Sequence, residues 1–413
     1  MRTRARLLSA AVIFALAAGA LAPVPAARAE TRNAATVTLG WQSENADAIL
    51  VGTVLSASRD AASPERTIDV RVDRVLAGTP AAGSTVRVTC EDHGAGAAWT
   101  DGTQVLVFLR RVPSGAATET WVPLSGAFSL RALPAGSAEA RFPALVTSLR
   151  KALDAKDPAL LRALLVTWMD DTDAGVAWSA ATDFVRHEEL HAALTDGERA
   201  RIVDAYTRQP IGKNTKDALA FAVAVTGSPA AAPALVDSLL LPGAGRIRAT
   251  VAEALRRIGS PETESLVIAR LRDAKPEQQE SLLAALAVVG GSAAAREIRP
   301  LLESATAAVR VGALSALGNA ARNVRAADPT ARLNLAETLA GRLPGRSHAT
   351  DAPPPTTDEI RATLWALAQL DEPAAYDALR TFAAEGDPID LRDYAARLVA
   401  RPRQSLVLRA VGN

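Results

Sequence analysis

Along the chain the apolar positions keep two different periods, and the change between them divides the protein. Up to about residue 136 they favour period two. Thr67 to Leu76 alternates strictly, with Ile68, Val70 and Val72 on one face and Asp69, Arg71 and Asp73 on the other, which predicts a half-buried strand. Ala48 to Leu55, Ser84 to Cys90 and Ala127 to Leu133 read as further strands. Val105 to Leu109 is a continuous apolar run, the pattern of a strand buried on both faces. Gly and Pro punctuate the gaps, so these five strands predict a small all-β unit over residues 30–138.

From about residue 139 the period becomes helical. Val251, Leu255 and Ile258 stand at i, i+4 and i+7 on one face. The same set returns 31 residues later as Leu282, Leu286 and Val289, and again as Ala313, Leu317 and Ala320. Thirty-one residues hold two helices of about 11–12 residues with tight turns. Weaker copies occur over Asp217 to Gly227 and Arg361 to Leu370. Asp157-Pro158, Ser228-Pro229, Ser260-Pro261, Asp328-Pro329 and Asp387-Pro388 each set a capping side chain before a Pro at the first helical position. Gly259 and Gly290 stand where helices must stop. The expected fold is thus α+β in two units, an all-α solenoid of helical hairpins over 139–402 preceded by the β-unit. A Pro-rich loop, 342–358 with Pro353, Pro354 and Pro355, interrupts the array, and 403–413 forms a short tail.

These repeats resemble the HEAT-like repeats named after phycobiliprotein lyases, a resemblance that implies a helical-hairpin solenoid and says little of function. In the front unit, Ala46-Asp47-Ala48-Ile49-Leu50-Val51-Gly52-Thr53-Val54, Asp73-Arg74-Val75-Leu76-Ala77-Gly78 and Gly102 through Leu109 resemble small secreted OB-like domains. That resemblance implies a five-stranded barrel of the kind shared by netrin-type modules and the tissue inhibitors of metalloproteinases. The N-terminal cysteine with which those inhibitors chelate a target's metal has no counterpart here. Trp99 and Trp121 would either stack a ligand or plug the barrel.

The N-terminus changes where this fold is expected to work. Arg2, Arg4 and Arg6 precede an apolar run from Leu7 to Leu21, then Pro23, Pro25 and Ala27-Arg28-Ala29. That is the layout of a secretory signal over 1–29, cleaved after Ala29. The run is short for a membrane span, so no integral span is expected after cleavage, and the protein is expected in the cell envelope, the periplasm or outside the cell. Cleavage takes the formal net charge from +1 to −3. A near-neutral chain lacks the positive field of a nucleic-acid binder. Cys90 is the single cysteine, which excludes an intramolecular disulfide. Alternation places it on the buried face with Val86 and Val88. Aromatic residues are only 4%, as suits close-packed Ala-rich helices.

Candidate chemistry is sparse. His187-Glu188-Glu189-Leu190-His191 matches H-E-x-x-H, in which two histidines on one helical face bind Zn²⁺ and the first Glu polarises a water. Against that, Glu189 puts a charge where a buried zincin helix has none, and Thr195-Asp196-Gly197-Glu198 is a capping box that starts a new helix. Asp204 and Asp217 are the third ligands that could be offered. The competing expectation is a structural helix, Phe184 to Leu194, with those two residues inward. Asp170, Asp171 and Asp173 could ligate Ca²⁺ but lack the twelve-residue loop spacing; a helix-start turn is the alternative. Arg246 to Arg346 is rich in arginine (Arg256, Arg257, Arg270, Arg272, Arg296, Arg299, Arg322, Arg325) but interleaved with Glu253, Glu264, Asp273 and Glu303. It reads as a strip facing an acidic partner or as a solvated surface. The preferred reading is an exported, non-enzymatic binding or scaffold protein that holds another protein on its repeat surface, with no cofactor. A zinc hydrolase centred on His187, Glu188 and His191, and an envelope or polysaccharide binder using the barrel, are the alternatives.

Overall fold

The computed structural model describes residues 37–59, 65–91, 99–112, 120–125, 130–133, 137–211, 214–323, 329–345, 354–370 and 372–400. The expected signal segment 1–29, the expected tail 403–413, and Arg322, Arg325 and Asp328 lie outside what can be described of side chains, as does the side chain of Cys90. The chain divides into two compact units, one ending at Ile202 and the other beginning at Val203.

The first unit opens with helix α1 (Leu39–Asn45), followed by strands β1 (Ala48–Arg59), β2 (Glu65–Ala77), β3 (Thr85–Glu91), β4 (Gln104–Val112), β5 (Thr120–Pro123) and β6 (Leu130–Ala132). All pair antiparallel in the order β3-β2-β1-β4-β5, with β6 also on β4. The sequence predicts five strands and the sheet has six. Thr120–Pro123 is too short to show a period, yet it pairs along β4 from Thr120–Val112 to Pro123–Leu109. The alternation of β2 is realised: Ile68, Val70 and Val72 enter a core with Leu50, Val54, Val86, Val88, Val105, Val107 and Leu109. Leu106 and Phe108 are also buried and point to the opposite face, and α1 packs on β4. Gly52 lets β1 and β2 meet closely, since a Cβ there would stand 2.5 Å from the Arg71 carbonyl oxygen.

Helices α2 (Ser137–Ala155), α3 (Pro158–Trp168) and α4 (Ala174–Arg186) belong to this same unit. Asp157 caps α3 as its sequence predicts, accepting from Ala159 and Leu160 N–H. The segment before the sheet is tied to α4 by one buried carboxylate. Asp183, 2% exposed, accepts from the Thr38 hydroxyl and, at 2.9 Å, from Gly40 N–H. Thr38 at the same time caps α1, accepting from Trp41 N–H. Gly40 is required by this contact, because a Cβ would lie 2.3 Å from an Asp183 oxygen.

Helix α5 (Asp196–Arg208) contains the division point. In the second unit α6 (Asn214–Val225), α8 (Arg248–Ile258), α10 (Pro276–Val289), α12 (Ala307–Asn323) and α14 (Thr357–Gln369) stack side by side in one row. The returns of the chain carry α7 (Ala232–Ser238), α9 (Pro261–Asp273), α11 (Ser292–Ile298), α13 (Pro329–Ala340) and α15 (Pro373–Glu385), followed by α16 (Asp390–Ala400). The 31-residue register holds at its first two positions; at the third, Ala320 is fully buried and Ile258 and Val289 are half-buried. Val251, Leu282 and Ala313, and likewise Leu255, Leu286 and Leu317, are all fully buried. Where α12 meets α14 the backbones approach closely, and a Cβ on Gly318 would stand 2.6 Å from Ala366 Cα.

Several details depart from the even hairpins that the period predicts. Helices α7 and α11 have only seven residues. The second gives way to a 3-10 turn, Arg299–Glu303, at Pro300, where the missing N–H breaks the α pattern. Ser228-Pro229 starts a 3-10 turn without a side-chain cap, and α16 begins at Asp390 rather than Pro388. Gly259 is left-handed, φ 64°, whereas Gly290 has φ −76°. Gly290 is needed for space instead, because a Cβ would stand 2.4 Å from the Leu286 carbonyl oxygen. The start of α11 has no cap of its own; Glu264 on α9 supplies it, accepting from Gly291 and Ala294 N–H at 2.8 and 2.9 Å.

A buried polar pair marks the start of the second unit. Lys216, 1% exposed, donates from Nζ to the Tyr206 carbonyl oxygen and lies 3.9 Å from the Tyr206 ring centroid. The Tyr206 hydroxyl is 2.6 Å from Ser238 Oγ. Burial pulls the Lys216 ammonium down to about 8 and pushes the Tyr206 phenol up to about 12. The folded lysine loses its proton before the unfolded one, so its contribution to stability rises from about pH 8 to about 10.5. The folded tyrosine keeps its proton longer, so its contribution falls from about pH 10 to about 12. In denaturant titrations from neutral pH to about pH 10, wild type should therefore gain stability relative to Lys216→Met, by on the order of 2–3 kcal/mol. A constant difference across that range would contradict the assignment.

Candidate functional site

The H-E-x-x-H segment does not fold as the helix its sequence predicts. Helix α4 ends at Arg186, His187 is its C-cap with φ −91° and ψ 80°, and Glu188–Leu190 is a 3-10 turn. The i, i+4 geometry that would put both rings on one helical face is therefore lost. His187 Nδ1 lies 2.8 Å from Glu189 Oε1. His191 Nε2 lies 2.8 Å from the Phe184 carbonyl oxygen, its ring 5.0 Å from the Phe184 ring. Glu188 is exposed. The inward placement of Phe184 and Leu194 holds, but with a break between them that also sinks Leu190 into the core. The Thr195 capping box is present, Thr195 N–H donating to Glu198 and Glu198 N–H to Thr195 Oγ1. Asp204 is exposed on α5. Asp217 faces Thr250, and burial pushes its carboxyl up.

The acidic turn before α4 is bound within the fold. Asp173 caps α4 through Gly175 and Val176 N–H, with Arg131 at 3.6 Å. Asp171 accepts from Asp173 N–H and pairs with Arg141. Among the described residues no group of three or more His, Cys, Asp or Glu side chains is arranged to hold a metal ion. Trp99 is 3% exposed and plugs the sheet core, while Trp121 packs against that core and stays half-buried.

The arginine-rich stretch is largely paired. Arg256 and Arg257 meet Glu253, Arg270 meets Asp237, and Arg272 meets Glu297. One part of it lines a cavity of about 180 Å³ in the second unit. Its walls are the 3-10 turn ending at Glu303, the start of α12 with Arg310, the turn after α13 with Arg342, and the first turns of α14 with Glu359 and Thr363; Leu302, Leu314 and Pro355 give apolar lining. Glu359 is 5% exposed. It pairs with Arg310 and accepts from Thr356 N–H at 2.7 Å, while its own N–H donates to Thr356 Oγ1. Arg310 Nη1 donates to the Ser304 and Ala305 carbonyls. Arg342 pairs with Glu303, which is 69% exposed. Burial pulls the Arg342 guanidinium below its ordinary value, opposed by the nearby Glu359 carboxylate.

This cavity was not legible in the sequence. Thr356-x-x-Glu359 is a capping-box pattern that marks where α14 starts, but Arg310 and Glu359 are 49 positions apart and Arg342 and Glu303 39 apart. Only the stacking of hairpins brings them together.

The stacked hairpins place the second unit in the class of helical-repeat structures. No family model and no curated protein matches the chain. Among solved structures it is similar to the complex of CpcE and CpcF of phycocyanin lyase from Nostoc sp. PCC7120, at 17% identity over 58% of this chain and 93% of that one, with a TM-score of 0.31. It is also similar to human deoxyhypusine hydroxylase in complex with glycerol, at 18% identity over 61% and 90%, TM-score 0.25. A designed armadillo repeat protein matches at 15% identity over 51% of this chain and all of that one, TM-score 0.26. No helix among the described residues is long and apolar enough to cross a membrane.

Proposed function

We propose that this chain is an exported binding or scaffold protein that presents its repeat helices to another protein, with no enzymatic step of its own. The observation that carries the reading is the unbroken row of α6, α8, α10, α12 and α14. Its apolar register is used up between neighbouring helices, which leaves a continuous run of solvent-facing helix surface. Export is read from the arginines and apolar run before Ala29. The front sheet is read as an OB-like barrel over 30–138, supported by the strand order and by the close approach of β3 and β5, the two ends of that order.

The test uses the full chain expressed in its native host. A photo-crosslinking residue replaces exposed Arg256 on α8 or exposed Arg361 on α14, with exposed Arg380 on α15 as control. A discrete crosslinked protein from the row positions and not from the control is expected, on a mature chain that begins at Glu30. Crosslinks that do not distinguish row from control, or a protein retained in the cytoplasm with its first 29 residues, would count against the proposal. The zinc alternative separates on His191→Leu. That variant should lose about 0.5–1.5 kcal/mol of stability with the hydrogen bond to Phe184, keep its crosslinks, and carry no less metal than wild type. Stoichiometric zinc lost in the variant would restore the hydrolase reading.

A further inference from the structure

The cavity beside α12 and α14 pairs its charges unequally, and that inequality points to a ligand. Arg310 is held inside by Glu359 and two backbone carbonyls, and both side chains of that pair are mostly buried. Its Nη2 has no hydrogen-bond partner among the described residues. Arg342 is different. Its side chain is 25% exposed and its one ion-pair partner among the described residues, Glu303, stands mostly in solvent. An exposed carboxylate contributes little to such a pair and leaves it at little cost. Once Glu303 swings out, the cavity keeps a partly desolvated guanidinium with no direct ion pair among the described residues, and Glu359, already paired with Arg310, offsets the two guanidinium charges only in part. Leu302 and Leu314 supply an apolar wall.

We infer that this cavity binds a carboxylate carried on a short branched apolar group, the carboxylate displacing Glu303 from Arg342 and the apolar group lying against Leu302 and Leu314. A guanidinium fork matches a carboxylate in two parallel hydrogen bonds. Two sources share this chemistry, a free branched-chain carboxylic acid and the C-terminus of a peptide ending in leucine. The site stands independently of the scaffold reading, because it can be filled whether or not the row of helices holds a partner.

Calorimetry on the full chain tests it with four probes: 4-methylpentanoate, its amide, a glycyl-glycyl-leucine peptide, and that peptide amidated at its C-terminus. At least one acid should bind at least tenfold more tightly than its amide. Arg342→Gln should weaken that binding at least tenfold and Arg342→Lys restore part of it, while Glu303→Gln, which removes the competitor, should tighten it several-fold. Thermal melting of each variant confirms that the fold is kept. A purely structural Arg342–Glu303 pair would not move affinity in opposite directions from its two ends. The tighter of the two acids identifies the source. Acids and amides that bind alike, no binding at millimolar concentration, or an affinity indifferent to Arg342 and Glu303 would each overturn the proposal.

Discussion

Leu286→Asp is expected to remove the protein from the soluble fraction. Leu286 is fully buried at the middle of the row, between its register equivalents Leu255 and Leu317, with α10 packed between α8 and α12. The substitution loses the transfer energy of a leucine side chain and leaves a carboxylate with neither water nor partner. Several kcal/mol is a large part of the about 5–15 kcal/mol that holds a domain folded. Expression yield and thermal melting check it. Leu286→Met, which conserves volume, should stay within about 1.5 kcal/mol of wild type. An aspartate variant that melts within a degree or two of wild type would mean that the 31-residue register does not set the core.

Asp183→Ala is expected to cost about 2–6 kcal/mol, all of it in the first unit. Asp183 is almost wholly buried, and burial pushes its carboxyl up, against the pull of Arg186, the Thr38 hydroxyl, the Gly40 N–H and His187. Alanine would strand the buried Thr38 hydroxyl and Gly40 N–H without their acceptor, each a desolvated donor of about 1–3 kcal/mol. Arg186 keeps a second partner in Glu44, so the damage should concentrate where α1 meets α4. Proteolysis near residues 37–45 together with thermal melting would show it. Asp183→Asn keeps one acceptor oxygen and should fall between alanine and wild type. An alanine variant as protease-resistant as wild type would show that α1 is held by other contacts.

The repeat unit was open to reading because its signal is arithmetic. Val251, Leu282 and Ala313 recur at one spacing, and helices stacked side by side must bury equivalent positions. The sheet was nearly as open, since Ile68, Val70 and Val72 alternate without a break. What escaped is set by contacts that the periodicity does not record. Phe184 to Leu194 contains no Pro or Gly, so its pattern runs straight through as helix. The break at His187 goes with the burial of Leu190 and with His191 meeting the Phe184 carbonyl, and neither is written in that segment. Gly290 is correctly placed as a helix stop, but for crowding against Leu286 and Ala294 rather than for a left-handed turn. The cavity is the extreme case, as each of its charged side chains has its partner in another helix or turn.

The cap that Glu264 lends to α11 carries a consequence for how the repeats open. Helix α11 is seven residues long, and its first amides rest on a side chain from the preceding return helix. A helix this short is marginal when isolated, so its protection against hydrogen exchange depends on α9 staying in place. Fraying of α9 near Glu264 releases the Gly291 and Ala294 amides in the same event, even though the two segments lie 27 to 30 positions apart. These two hairpins thus share one opening step, and the smallest cooperative unit at this point in the row is larger than a single repeat.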